Sequence, residues 1–303
     1  MADLELPAGV LAGHWTAEDG LTGCSVVLVP DGATGGVEVR GGGPGTRETD
    51  VLAPSSMPRD VHGVVLSGGS AFGLATGDGV VAWLEERGHG HLTRAGVRVP
   101  LVAGAVVFDR SALEPGRRPG AAEGRTACDA AGPAVPARGR VGAGASTAAG
   151  KLADPGSWAW TGFGAATERI GGALVTALAV ANPVGDVLDA DGSLLAAGRR
   201  DGELVRTADL LRAAAAAPPP PTRENTVLVV VCTDARVDRT GAWLVARAAS
   251  AGVARAVDPV ATSYDGDVAF CLSTGTVEVD PFALGAAAAW AAADAVRDAA
   301  RSA

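Results

Sequence analysis

The pairing with the most chemical content is Asn225-Thr226, at the head of the β-branched run Val227-Leu228-Val229-Val230-Val231 and just after the low-complexity stretch Ala213 to Pro221. Cut between these two residues, the chain would present a nucleophilic hydroxyl and a free α-amine on one residue, Thr226. An α-amine has an unperturbed pKa of roughly 7.7–8.0 and accepts a proton near neutrality. An Asn-Thr dipeptide taken alone simply opens a core strand, so partners must be sought elsewhere. Lys151 is one: of 25 basic residues, 24 are arginine and one is lysine. A lone lysine in an arginine-rich background suggests a compact charge whose pKa drops on burial. Asn182 and Asn225 are the two asparagines of the chain. Asn182 stands before a proline, where it is either a rigidly held amide or an Asx-turn residue. Asp265 and Asp267 flank Gly266 and share one face if extended. They read either as a turn or as paired carboxylates that raise each other's pKa unless a cation such as Lys151 stands near.

These groups need scaffolding. Val61 to Leu66 is expected to be a buried strand running into Ser67-Gly68-Gly69-Ser70 and a helix from 71 to 87. Ser70 lacks the glycine two residues on that a nucleophile elbow requires, and is read as helix N-cap or substrate-loop residue. Ser25 to Val29 is expected to be a strand closed by a turn at Pro30-Asp31-Gly32, and residues 111–140 a long surface loop. Gly41-Gly42-Gly43 reads as a tight crossing or an anion cradle. Val141 to Lys151 misses the glycines of both nucleotide-binding fingerprints, so its small residues should admit a close approach with Lys151 projecting into a site. A strand from 171 to 180 leads to Asn182, a helix follows from 239 to 252, and Asp280-Pro281 opens a final helix.

Composition narrows the field. The 303 residues carry a net charge of −9, which disfavours nucleic acid and anionic membrane as partners. No apolar run is long enough for a spanning helix, and the start of the chain lacks a secretory pattern. Four widely spaced cysteines read as reduced thiols, and four scattered histidines lack metal-ligand spacing. A cytoplasmic protein with no metal and no cofactor is expected.

Gly35-Gly36-Val37-Glu38-Val39-Arg40-Gly41-Gly42-Gly43-Pro44-Gly45-Thr46-Arg47-Glu48-Thr49-Asp50 and Leu66-Ser67-Gly68-Gly69-Ser70-Ala71-Phe72-Gly73-Leu74 resemble signatures of peptidase family S58. That family holds self-processing D-aminopeptidases and β-aminopeptidases and the nylon-oligomer (6-aminohexanoate-oligomer) hydrolases, and the resemblance covers nearly the whole chain. It implies an α/β (α+β) fold: a four-layer αββα sandwich similar to the N-terminal-nucleophile hydrolases, of the type also found in ornithine acetyltransferases. It also implies one domain over 1–303, cut into a large subunit, 1–225, and a small one, 226–303. Matched by motif, Asn225-Thr226 resembles the processing site of the Thr-type branch, with Thr226 as nucleophile. Lys151 matches the family lysine, Asn182 the asparagine that binds the reacting carbonyl, and Asp265 and Asp267 the acidic pair of the nylon-oligomer branch. Phe108 falls where some relatives place a substrate-site tyrosine, and Gly69 and Ser70 fall in the substrate loop. The implied partner is a small peptide or amide, and the implied assembly is a homo-oligomer, a tetramer of processed heterodimers. An acyltransferase of the same fold and an uncleaved small-ligand binding protein are the alternatives.

Overall fold

The computed structural model describes residues 3–57, 60–214 and 225–303. Most of the alanine- and proline-rich stretch, from 215 to 221, lies outside the described residues, as does Glu224.

Two sheets share one long strand. Strand β1 (Leu11–Thr16) pairs with β2 (Gly23–Val39), which pairs in turn with β3 (Val61–Ser67). Parallel to β3 runs β4 (Val102–Val106), followed at the edge by the two-residue strand Thr46–Arg47. Behind these strands lie helices α1 (Thr76–Glu86) and α2 (Ala121–Asp129). The second sheet runs β5 (Phe163–Ile170), β6 (Ala173–Asn182), β7 (Thr226–Ala235), β8 (Val268–Val277) and then the far half of β2. Helix α3 (Thr207–Ala213) precedes β7, and α4 (Arg239–Val253) and α5 (Pro281–Arg301) back the second sheet.

Alternation in the strands sets the layers. Leu228, Val230 and Cys232 of β7 join Leu178 and Val180 of β6 in a core with Val27, Val64 and Leu66 of the first sheet. Val227, Val229 and Val231 point the other way, onto Val245 and Ala249 of α4 and Leu284 and Ala288 of α5. Cys24, Val26 and Val65 bury against Val80 and Leu84 of α1 and Ala127 and Cys128 of α2. The order is therefore helices, sheet, sheet, helices, the expected αββα sandwich. A strand buried on both faces reads as a continuous apolar run, as β7 does, and each valine so buried contributes on the order of 1.5–3 kcal/mol.

Three local expectations are corrected. Pro30-Asp31-Gly32 does not end a strand: β2 continues through it with a register shift between Leu28 and Ala33, and Gly32 takes φ 93°. That bulge lets residues 24–28 pair with β3 while residues 34–39 pair with β8. Residues 111–140 contain α2, whose glycine-rich flanks hide it; the Glu123 carboxylate caps it by accepting from Gly120 N–H at 2.8 Å. The helix expected from residue 71 begins as a 3-10 turn, Ser70–Ala75, before α1. Asp280 caps α5 as expected, accepting from Ala283 N–H at 3.0 Å. Among the described residues no helix is long and apolar enough to cross a membrane.

Candidate active site

Thr226 is the first residue of β7 and Asn182 the last of β6, and the antiparallel register sets them opposite each other. Both continue the alternation of residues facing the gap between the sheets, since Leu228 and Val180 lie in that core. On the other side of β7 the parallel β8 pairs Leu228 with Val268, and an isolated bridge pairs Asn225 with Asp265 at the same offset. The 225–226 peptide therefore lies level with Gly266. Its carbonyl oxygen accepts the Gly266 N–H at 2.8 Å and also the Thr226 hydroxyl. A Cβ on residue 266 would stand 2.9 Å from Thr226 Oγ1 and 2.8 Å from the Gly43 carbonyl, so the approach depends on glycine. The Asn225 side chain is buried; Nδ2 donates to the Tyr264 carbonyl at 3.3 Å, while Oδ1 has no partner among the described residues.

Lys151 is buried beside this strand end. Gly150 N–H and Lys151 N–H donate to the carbonyls of Gly185 and Val184 at 2.8 and 3.1 Å, which lays the small-residue segment along the chain after Asn182. Lys151 Nζ then donates to Asn182 O at 2.9 Å and to Asn182 Oδ1 at 2.7 Å. Oδ1 also accepts Ala148 N–H at 3.2 Å, so two donors fix which end of the amide is oxygen. Nδ2 is thereby aimed at the Phe108 carbonyl, 3.3 Å away. Phe108 thus meets the cluster through its main chain.

The acidic pair is held by backbone. Asp267 Oδ1 accepts Val227 N–H at 2.7 Å and Oδ2 accepts Ala261 N–H at 3.0 Å. Asp265 Oδ1 accepts Val184 N–H at 3.2 Å, and Oδ2 accepts the Thr262 N–H and hydroxyl at 3.0 and 2.6 Å. Burial, and then the neighbouring Asp265 carboxylate, push Asp267 up to about 7. Gly41-Gly42-Gly43 pack against this turn: their N–H groups donate to the carbonyls of Asp267, Thr262 and Asp265 at 3.3, 3.2 and 2.9 Å. The triglycine is a tight crossing.

Ser70 is not a helix cap. Gly69, at φ 83°, takes the N-cap position and Ser70 follows at φ 55°. The loop is tied down by a residue that sequence reasoning passed over. Asp109, 1% exposed, accepts Gly69 N–H at 3.0 Å, Ser111 N–H at 3.1 Å and the hydroxyls of Ser111 and Thr22 at 2.7 and 2.5 Å. Its position directly after an apolar strand and two before a serine was the available signal. Two of the four histidines pack: His14 sets its ring edge-on to Phe163 with centroids 4.5 Å apart, and His62 is buried. Among the described residues no group of three or more His, Cys, Asp or Glu is arranged to hold a metal ion.

The sequence profile of peptidase family S58 matches residues 7–303. An uncharacterized aminopeptidase of Mycobacterium leprae is 41% identical over 267 residues, covering 84% of this chain and 72% of that protein. A 6-aminohexanoate-oligomer endohydrolase of a Kocuria strain is 34% identical over 312 residues, covering 97% and 84%. Among solved structures, the L-aminopeptidase D-Ala-esterase/amidase of Ochrobactrum anthropi, described as a variant of the Ntn hydrolase fold, superposes with a TM-score of 0.73 at 19% identity, covering 99% of this chain and 87% of that one. The chain belongs to peptidase family S58 and is a hydrolase of amide bonds.

Proposed function

We propose that this member of peptidase family S58 severs its own 225–226 peptide bond and then hydrolyses small amides with the Thr226 hydroxyl so uncovered. The observation that carries the reading is the convergence on one carbonyl: the Asn225 oxygen receives both the Thr226 hydroxyl and the Gly266 N–H. In the self-cut, Oγ1 bonds to the Asn225 carbonyl carbon and its proton leaves to a base. The C–N bond breaks, the departing nitrogen takes a proton, and an ester links Asn225 to Oγ1. Water cleaves that ester, leaving a carboxylate on residue 225 and a free amine on Thr226.

Turnover repeats the sequence on a substrate amide. Thr226 Oγ1 attacks the carbonyl carbon while the α-amine or Lys151 takes the proton and passes it to the leaving amine. Gly266 N–H and Asn182 Nδ2 serve the developing oxyanion, each such donor being worth about 100- to 1,000-fold in rate. Lys151, donating twice to Asn182, fixes that amide with one Nδ2 proton on the Phe108 carbonyl, and the second proton is the one the oxyanion would take. Asp267 fixes β7 at Val227 N–H, and Asp265 fixes the turn after Asn182 at Val184 N–H, so the two acids, both in the turn before β8, position the nucleophile and its oxyanion donor.

In this reading the substrate is a small peptide or amide, the chain works as two subunits of one fold, and the enzyme is cytoplasmic, in keeping with four buried free thiols. Phe282, 87% exposed, with Trp290 and Leu244 on the outer side of α5 and α4, supports assembly with further copies. The test is the mass of purified protein with time. The 29.9 kDa chain should give two fragments, the smaller starting at Thr226, and Thr226→Ala should stay whole.

A further inference from the structure

We infer that the acyl side of the site takes a short chain ending in an ammonium placed where Asn225 Nδ2 now lies, that is, a 4-aminobutyryl group. This rests on the reading of Thr226 as the nucleophile for both the self-cut and turnover. One hydroxyl on a fixed strand must reach both carbonyls. A substrate carbonyl is therefore brought to the position of the Asn225 carbonyl, with its oxygen on the Gly266 N–H, 2.8 Å away in the uncut chain. Once residue 225 has withdrawn after the cut, we place the acyl chain along the path its side chain held, because that path ends at a polar partner. Along that path three carbons, Cα, Cβ and Cγ, separate the carbonyl carbon from Nδ2, which donates to the Tyr264 carbonyl at 3.3 Å.

Asn225 itself fits this path imperfectly. Its Oδ1 is buried and meets no donor, so among the described residues the site offers an acceptor for a donor and nothing for an acceptor. An ammonium carries donors only. Replacing the amide by a methylene and an ammonium keeps the nitrogen on the Tyr264 carbonyl and removes the orphaned oxygen. The net charge of −9 favours the approach of a cation. A 3-aminopropionyl chain stops one carbon short, about 1.5 Å. A 6-aminohexanoyl chain overshoots by two carbons, and an α-aminoacyl group carries its nitrogen on the first carbon.

The experiment uses the self-cut protein and five glycine conjugates: 4-aminobutyryl-, 3-aminopropionyl-, 6-aminohexanoyl-, alanyl- and butyryl-glycine, with released glycine quantified by mass spectrometry. The expected result is a kcat/KM for 4-aminobutyryl-glycine about 10- to 100-fold above that for butyryl-glycine, the worth of one hydrogen bond from a charged group, and above that of every other conjugate. Binding without turnover should agree: 4-aminobutyrate raises the thermal midpoint of the cut protein and butyrate at the same concentration does not. A cut protein that prefers another conjugate, ranks butyryl- and 4-aminobutyryl-glycine equally or releases no glycine overturns this inference and leaves the self-cut standing. A protein that never cuts overturns the proposed function, and this inference with it.

Discussion

Gly266→Ala is the sharpest probe of the proposed self-cut, because it acts on the Asn225 carbonyl without replacing any titratable group. A Cβ on residue 266 would sit 2.9 Å from Thr226 Oγ1, 2.8 Å from the Gly43 carbonyl and 3.2 Å from Pro44 Cα. Two of these contacts are with main chain, so the 266 backbone must move away from residues 43–44 and from the hydroxyl. Its N–H then leaves the Asn225 oxygen, which it now reaches at 2.8 Å. Loss of one oxyanion donor slows acyl chemistry by about 100- to 1,000-fold, and a crowded hydroxyl adds to that. The assay is a time course of the intact chain, followed by mass after purification from a short expression. The neighbouring Gly43→Ala is the matched control, since a Cβ there meets nothing within 4 Å. It should cut at the unmodified rate. Overpacking of the kind expected at 266 costs about 1–3 kcal/mol of stability, which thermal unfolding of the uncut protein measures separately. A folded Gly266→Ala chain that cuts as fast as Gly43→Ala would refute the assignment of Gly266 N–H to the oxyanion.

Thr226→Ser should still cut, since it keeps the hydroxyl, and fragment mass would show the same site. Lys151→Arg should lower kcat by about 100-fold or more, because a guanidinium keeps its charge and is bulkier than the compact amine it replaces beside Asn182 O and Oδ1, now 2.9 and 2.7 Å from Nζ; steady-state kinetics on the cut protein measures it. Asp109→Ala should cost about 3 kcal/mol, since it strips the partner from buried donors on Gly69, Ser111 and Thr22, and denaturant unfolding would register the loss. Asp267→Asn should flatten the dependence of stability on pH. The Asp267 carboxyl is raised from 3.8 to about 7, so the native state of the uncut chain holds a proton that the unfolded state has released. Its contribution is present in full below pH 3.8 and is lost as pH rises through about 7. The variant lacks that loss, which unfolding curves across this window would compare.

Much of the candidate site was legible because it gathers residue types that are rare in this chain. The single lysine bonds to Asn182 at the end of β6, Asn225 stands just before β7, and the continuous β-branched run after Thr226 announced a buried strand. The αββα layering was legible through family resemblance, and α4 and α5 through their periodicity and the Asp280-Pro281 cap. What stayed hidden has physical reasons. Main-chain donors carry no side-chain signature, so the contacts of Gly266, Val184 and Val227 N–H were invisible even though they organise the Asn225 carbonyl and the acidic pair. Pro30-Asp31-Gly32 has the composition of a turn, yet flanking pairs on both sides hold β2 through it as a bulge. Helix α2 stabilises itself by packing Ala127 and Cys128 against the first sheet, a tertiary gain that local propensity does not contain.

The position of the proposed cut also changes the electrostatics of the site it creates. Thr226 is held on both sides, by Asn182 of β6 and by the pairing that continues from β8, so a break before it leaves the new terminus in place. The nitrogen freed there is one residue from Val227, whose own N–H already donates to Asp267 Oδ1 at 2.7 Å. In the uncut chain Asp267 titrates near 7 because burial and Asp265 both disfavour its charge. An ammonium appearing beside it acts in the opposite sense and draws the carboxyl back toward the ordinary acidic range. The carboxylate so formed then supports the ammonium, and the two charges titrate as a pair. The self-cut would thus switch on its own acid–base partner. The consequence is measurable: the pH slope assigned to Asp267 should be present in uncut Thr226→Ala protein and absent from the cut enzyme. Equal slopes in the two would mean that the new terminus and Asp267 do not communicate, and the amine would then be excluded as the base acting through that acid.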